Sequence, residues 1–167
     1  MACPGNGCAN SPTRVAALDP PAVIALDTNL LVYAHREDSP FHAQAAQCLL
    51  QCAEGRGAWA IPLPCVHEFF AIVTQPRIYN PPTPIARAFD QIDAWLESPS
   101  LVLLAESEAH WPQLRALIGK ARIAGPAVHD ARIAALCLQH GVRELWSADR
   151  DFGRYAALKV VNPLVAG

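Results

Sequence analysis

No stretch of this chain approaches the ~20 consecutive apolar residues needed to cross a bilayer. Its first twenty residues also lack a basic start followed by an uninterrupted apolar segment, so neither a membrane span nor a secretory signal is expected. No glycine-rich loop capable of cradling a phosphate occurs, and no serine or cysteine stands in a nucleophile-elbow pattern. Phosphate-loop NTPases and elbow hydrolases are therefore set aside. Charge is sparse as well. Thirteen Lys and Arg against fifteen Asp and Glu leave a net charge of −2, so bulk charge does not draw nucleic acid to the surface. A small site that holds cations, or a local cluster of Arg and Lys, stays compatible with that balance. The six cysteines follow neither zinc nor disulfide spacing. Cys48 and Cys52 lie one helical turn apart, Cys65 and Cys137 interrupt apolar helical stretches, and Cys3 and Cys8 sit in a Pro/Gly/Asn-rich tail without a matching His/Cys pair. Buried free thiols in a reducing cytoplasm are expected.

What is present is enough for one core. A chain of 167 residues with 52% hydrophobic side chains suits a single domain. Residues 1–21 are rich in turn formers and read as a flexible N-terminal extension ahead of a domain spanning 22–167. Val23 opens Val-Ile-Ala-Leu-Asp, so a natural start later than Met1 is a further expectation, which intact mass would test. From residue 22 strand-like and helix-like segments alternate. Strands are expected at 22–26, 58–61, 101–104, 143–147 and 158–161, and helices at 30–35, 41–54, 64–74, 84–97, 106–122 and 128–140. That alternation predicts an α/β fold with a largely parallel central sheet and helices on both faces. Ligands of such sheets bind beyond the carboxyl ends of the strands.

Four acidic residues stand where elements begin or end. Asp27 closes the apolar run Ala22–Leu26, and Asp149 follows Leu145-Trp146-Ser147-Ala148. Asp130 opens a helix of small residues. Stepping about 100° per residue from Val128, it falls within the apolar arc of Ala131, Ile133, Ala134 and Cys137. Glu68 lies at the flank of the stripe Val66, Phe69, Phe70 and Val73. Each has a plainer role available: Asp27 and Asp130 as helix caps, Glu68 as an exposed salt-bridging side chain. Asp149 competes with Asp151. Asp149 is preferred because it lies nearer the strand end, with Asp151 left as a turn former. His67 and His129 each precede a key acid by one residue, so on a helix they point away from it. If the four acids meet, each like-charge pair at ~4 Å and a dielectric near 20 costs on the order of 4 kcal/mol. Bound cations would offset that cost, and oxygen-only ligands favour Mg²⁺ or Mn²⁺.

Ile24-Ala25-Leu26-Asp27-Thr28-Asn29-Leu30-Leu31-Val32-Tyr33-Ala34, His67-Glu68-Phe69 with Val73-Thr74, Val128-His129-Asp130-Ala131-Arg132-Ile133-Ala134-Ala135, and Ser147-Ala148-Asp149-Arg150-Asp151-Phe152 with Asn162-Pro163-Leu164 occur in that order. Together they resemble PIN-domain proteins, more specifically the VapC toxins of bacterial toxin–antitoxin pairs. The likeness covers about residues 22–165; the tail at 1–21 has no counterpart in the pattern. It implies a PIN-like three-layer fold and an endoribonuclease dependent on Mg²⁺ or Mn²⁺. In it Asp27, Glu68, Asp130 and Asp149 would line the metal site, with Asn29 and Ser147 supporting them. It also implies an RNA substrate, a cognate VapB-like antitoxin and a homodimer; the cytoplasmic location is expected from the missing signal and membrane span.

Hydrolysis would then use metal-activated water, with a second cation, if bound, stabilising the leaving oxygen. Arg77, Arg122 and Arg150 are the first candidates for gripping phosphates, with Arg87, Lys120, Arg132 and Arg154 behind them. Two other readings compete. A phosphatase of small phosphate esters would use Asp27 as nucleophile but wants a second Asp where Asn29 stands. A degenerate, non-catalytic PIN module would only bind partners, and retention of all four acids argues against it.

Overall fold

A computed structural model describes residues 23–165; the expected extension at 1–21 lies outside them. Five strands form one sheet: β1 (Ile24–Leu26), β2 (Trp59–Pro62), β3 (Leu101–Leu104), β4 (Glu144–Trp146) and β5 (Lys159–Val161). Every pairing is parallel, in the order β3-β2-β1-β4-β5. All four residues of β2 are buried, as befits a strand covered on both faces rather than one. The sheet is wholly parallel, which sharpens the expectation of a largely parallel one.

The helices are α1 (Thr28–His35), α2 (His42–Glu54), α3 (Leu63–Val73), α4 (Ile85–Leu96), α5 (His110–Ala121) and α6 (Val128–Gln139). They pack as two groups, α1 against α2 and α3, and α5 against α6. α6 stops in a Schellman turn. Gly141 takes φ +64°, its N–H donates to the carbonyl of Leu138 (3.3 Å), and Val142 donates to that of Cys137 (2.9 Å). Those bonds turn the chain straight into β4.

One boundary differs from expectation. α5 begins at His110, not at Glu106. Pro112 is the reason: its ring clashes with the carbonyl four residues earlier, so it is tolerated only in a first turn. Glu106, left outside the helix, pairs instead with Arg132 of α6. Two short 3₁₀ turns, Gly125–Ala127 and Arg150–Arg154, also went unanticipated.

The chain starts in the middle of the sheet, builds outward through β2 and β3, then returns to place β4 and β5 on the other side of β1. The gap beyond the carboxyl ends of β1 and β4 is thus the switch point of the topology, where open parallel sheets form their binding crevice. Asp27 and Ser147 are the first residues past those two ends. The register is fixed there by Asp27 N–H donating to Trp146 O at 3.0 Å. Cys48, Cys52, Cys65 and Cys137 are free and buried, and burial pushes all four thiols above their ordinary pKa. They are core side chains, not nucleophiles.

Candidate active site

Asp27 holds the N-cap position of α1, yet its carboxylate does not cap the helix. Capping falls to its backbone carbonyl, which accepts from Leu30 (3.2 Å) and Leu31 (3.4 Å). The side chain, 4% exposed, faces the switch point. Oδ2 accepts from Ser147 Oγ (2.6 Å) and Asn29 Nδ2 (2.6 Å), while the Cys65 thiol lies 3.9 Å from Oδ1. Burial is the main force on this group and lifts its pKa to about 6. The Ser147 hydroxyl and the Thr28 amide pull it back, and the charges of Glu68 and Asp149 push it up again.

Ser147, 1% exposed, is the hub. Besides donating to Asp27, its Oγ accepts from the Asp149 amide (2.9 Å) and from Asn29 Nδ2 (3.0 Å). Asn29 returns with its Oδ1, which accepts from the Ala148 amide at 3.1 Å. The start of α1 is thereby tied to the segment after β4. Glu68, half-buried in the second turn of α3, accepts from Thr28 Oγ1 at 2.7 Å. Thr28 is itself 6% exposed, so that carboxylate is held by a buried donor.

A second group of acids faces this one. Asp130 lies half-buried in the first turn of α6, whose N-cap is Ala127. Asp149 and Asp151 flank the start of the Arg150–Arg154 turn, and one oxygen from each of the three carboxylates lies within 4.8 Å of the others. Asp149 Oδ1 caps the turn by accepting from the Asp151 amide at 2.8 Å. Arg154 Nη2 lies 3.2 Å from Asp151 Oδ1. The Asp130 carboxyl is raised above its ordinary pKa by burial first, then by the charges of Asp149, Glu68 and Asp151, against the pull of Arg154.

Five carboxylates thus converge, and among the described residues Asp151 is the one with a basic partner. The donor set is all hard oxygen, without the imidazoles or thiolates that favour zinc or copper. It fits a hard divalent cation, because Arg154 is the one basic side chain paired with these acids among the described residues.

The family model for the PIN domain matches residues 24–158. The chain belongs to the PIN-domain family. Within the family, the chain is 33% identical over 142 residues to ribonuclease VapC43 of Mycobacterium tuberculosis, an alignment covering 85% of this chain and 96% of that one. It is 28% identical over 137 residues to ribonuclease VapC48 of the same organism, with 82% and 94% covered. Among solved structures it shares the fold of VapBC2 from Rickettsia felis bound to a promoter DNA fragment (TM-score 0.62, 18% identity, 84% and 98% covered). It shares it likewise with the Sarcin-Ricin loop cleaving toxin VapC20 of M. tuberculosis (TM-score 0.60, 14% identity, 79% and 94% covered).

In this PIN fold the charges of Glu68 and Asp149 act on Asp27, and those of Asp149, Glu68 and Asp151 on Asp130; Asn29 and Ser147 both hydrogen-bond to Asp27. Asp130 makes no side-chain cap bond to α6, whose N-cap is Ala127, and Glu68 has no basic partner among the described residues. The structure brings both Asp149 and Asp151 to Asp130, and it is Asp149 that accepts the capping bond of the turn. His67 and His129 are exposed. Arg77, Arg122 and Arg150 are also exposed and make no ion pair among the described residues; Arg122 ends α5 with φ +51°. Thr28 was missed. Its one legible signal is adjacency to Asp27, which a helix-opening threonine would show in any case.

Proposed function

We propose that this chain is a metal-dependent endoribonuclease, the toxin of a toxin–antitoxin pair, with Mg²⁺ or Mn²⁺ as its cofactor. The observation that carries the reading is the convergence of acidic side chains at the switch point of a PIN fold, with Asp27 held there by Ser147 and Asn29. Names borne by relatives support it: two are ribonucleases. Structural neighbours solved as VapBC complexes support a VapB-like antitoxin as partner.

Asp27, Glu68, Asp130 and Asp149 would hold the metal. Such a cation supplies Lewis acidity, easing deprotonation of a water and offsetting charge on the phosphate. The residues of this chain do the placing. Ser147 and Asn29 occupy Asp27 Oδ2, while Oδ1 meets only the Cys65 thiol at 3.9 Å. Thr28 occupies one Glu68 oxygen and leaves the other. With a pKa near 6, Asp27 is ionised at neutral pH and ready to bind. Arg77, Arg122 and Arg150 would grip RNA phosphates, Arg150 standing between Asp149 and Asp151 in the chain. A homodimer or an antitoxin would find apolar surface on α4, where Ile85, Phe89 and Leu96 are exposed. No helix among the described residues is long and apolar enough to cross a membrane. The phosphatase reading is weakened because Asn29, at the position where a second acid is wanted, donates to Asp27 instead.

The test is expression of the wild type beside Asp27→Asn in a bacterial host. Discrete cuts in total RNA and growth arrest are expected with the former and absent with the latter. Equal cutting by both would remove Asp27 from the mechanism.

A further inference from the structure

Trp111 is 62% exposed, unlike the other tryptophans. Trp59 and Trp95 are buried. The indole N–H of Trp59 donates to Ser98 Oγ (3.2 Å), and that of the half-buried Trp146 donates to Glu144 (3.1 Å). Trp111 stands in the first turn of α5, on the segment that follows β3. Because the sheet is wholly parallel, that segment leaves it on the carboxyl side, where the acidic site also lies. The neighbouring His110 is 5% exposed and faces the core side of the helix. The approach to α5 is fastened to α6. Glu106 pairs with Arg132, two residues after Asp130, and His140 Nε2 meets the Ala105 carbonyl at 2.9 Å. The indole is therefore held out on a fixed platform.

Charge on α5 is one-sided. From His110 to Arg122 the chain carries Arg115, Lys120 and Arg122 and no acid, whereas α4 sets Asp90 and Asp93 against Arg87. Of the two acids just ahead of α5, Glu106 is paired with Arg132 and Glu108 is exposed. Arg115 lies four residues from Trp111, so the two share a face, about 6 Å apart along the axis. Arg122, eleven residues on, returns to within roughly 20° of that line. Both arginines are exposed and make no ion pair among the described residues. An open aromatic face beside uncommitted guanidinium groups suits single-stranded nucleic acid, since the ring accepts any base and the cations its phosphates. An acidic peptide would need the cations without the indole, and an apolar partner the indole without the cations.

We propose that the Trp111–Arg115 face of α5, continued by Arg122, is a second RNA contact apart from the acidic site, where an unpaired base stacks on the indole and the arginines hold adjoining phosphates. This rests on the nuclease reading for its RNA and adds a preference for unpaired strands over duplex.

The test is binding of fluorescein-labelled single-stranded oligoadenylate to the full chain in EDTA, beside a fully paired RNA duplex of the same length. Nothing is cut there, and the uncompensated acids repel RNA from their own site. Trp111→Ala should lose roughly 10-fold in affinity for the single strand, the scale of one base–aromatic stack. It should lose little for the duplex, whose bases are not free to stack. Trp111→Phe keeps an aromatic face and should restore most of the loss. Both variants should melt with the wild type, because the ring they change is exposed. Arg115→Gln should weaken both RNAs and flatten the plot of log affinity against log salt by about 0.7–0.9. Wild-type affinity in Trp111→Ala, an equal loss on both RNAs, or no binding by the wild type overturns the proposal. Were RNA binding unchanged and Trp111→Ala to sediment as a smaller species, the face would belong to a second copy of the chain instead. RNA cutting by wild type against Asp27→Asn decides the nuclease reading separately, since no cutting is measured here.

Discussion

The two halves of the acidic site are built on opposite principles. The inner half, Asp27 with Glu68, is assembled by the core: Thr28 and Ser147 are almost fully buried, and hydrogen bonds of 2.6–2.7 Å from Ser147, Asn29 and Thr28 fix both carboxylates. The outer half, Asp130 with Asp149 and Asp151, rests on the first turn of a helix and a five-residue 3₁₀ turn. Its hydrogen bonds are local and one exposed arginine is its counter-charge. One half is fixed by buried donors and bears the cost of a buried charge; the other is more open and held by local contacts.

Asp27→Asn strikes hardest at this contrast. Cleavage is expected to be abolished, while the melting temperature in EDTA at neutral pH rises, because burial disfavours the charge that the substitution removes. The equivalent Asp130→Asn should also end cleavage but raise the EDTA melting temperature less, since Asp130 is only half-buried. If the two substitutions stabilised equally, the contrast between buried and open halves would be lost.

Acid titration gives a second, smaller effect with a definite sign. The Asp27 carboxyl sits at about 6 in the folded protein against 3.8 for an unperturbed aspartate. Between those values the folded chain keeps a proton that the unfolded chain has released. This group's contribution is therefore fully present below about pH 4 and is lost as pH rises through about 6, a loss on the order of 3 kcal/mol. Metal binding should show the reverse trend, weakening as pH falls below 6, because the ligand must be ionised. Melting curves in EDTA from pH 4 to 7, wild type beside Asp27→Asn, check it: the wild-type curve should lose ground with rising pH relative to the variant.

The same contrast explains what could be read from the chain alone. Asp27 announces itself because it ends an apolar strand, and Asp130 because an aspartate among Ala131, Ile133 and Ala134 has no comfortable place in a core. A largely parallel sheet, with its site beyond the carboxyl ends of the strands, followed from β/α alternation; the strand order did not. The place of Asp151 beside Asp130 was not legible in that way. It depends on a 3₁₀ turn after β4, and two residues' separation does not say whether side chains face the same side until that turn forms. Thr28 hides for a different reason, since its partner Glu68 is 40 residues away. The start of α5 was misplaced by extending a periodic pattern through Pro112, where the missing N–H and the ring decide the boundary.

Ser147→Ala probes the link between the halves. It removes the donor to Asp27 and the acceptor for the Asp149 amide together. Metal affinity should fall roughly 10–100-fold, and the Asp27 pKa should move higher, since the Ser147 hydroxyl is what chiefly restrains it. Replacing Ser147 by Thr, which keeps the hydroxyl, should restore most of both. A variant carrying Ala with unchanged Mn²⁺ affinity would mean the halves are independent.

The smallest effect concerns Arg150, and it tests whether the outer half faces RNA. This side chain is exposed, lies between Asp149 and Asp151 and makes no ion pair among the described residues. Removing it leaves the metal-binding network untouched. If it grips one phosphate, Arg150→Ala weakens RNA binding for all sequences alike. The plot of log affinity against log salt should become shallower by about 0.7–0.9, the share of one neutralised phosphate. Mn²⁺ binding measured without RNA should not weaken, because no carboxylate loses a partner. A salt slope equal to wild type would place the RNA path elsewhere, toward Arg77 after α3 or Arg122 at the end of α5, and the same measurement on those two variants would then locate it.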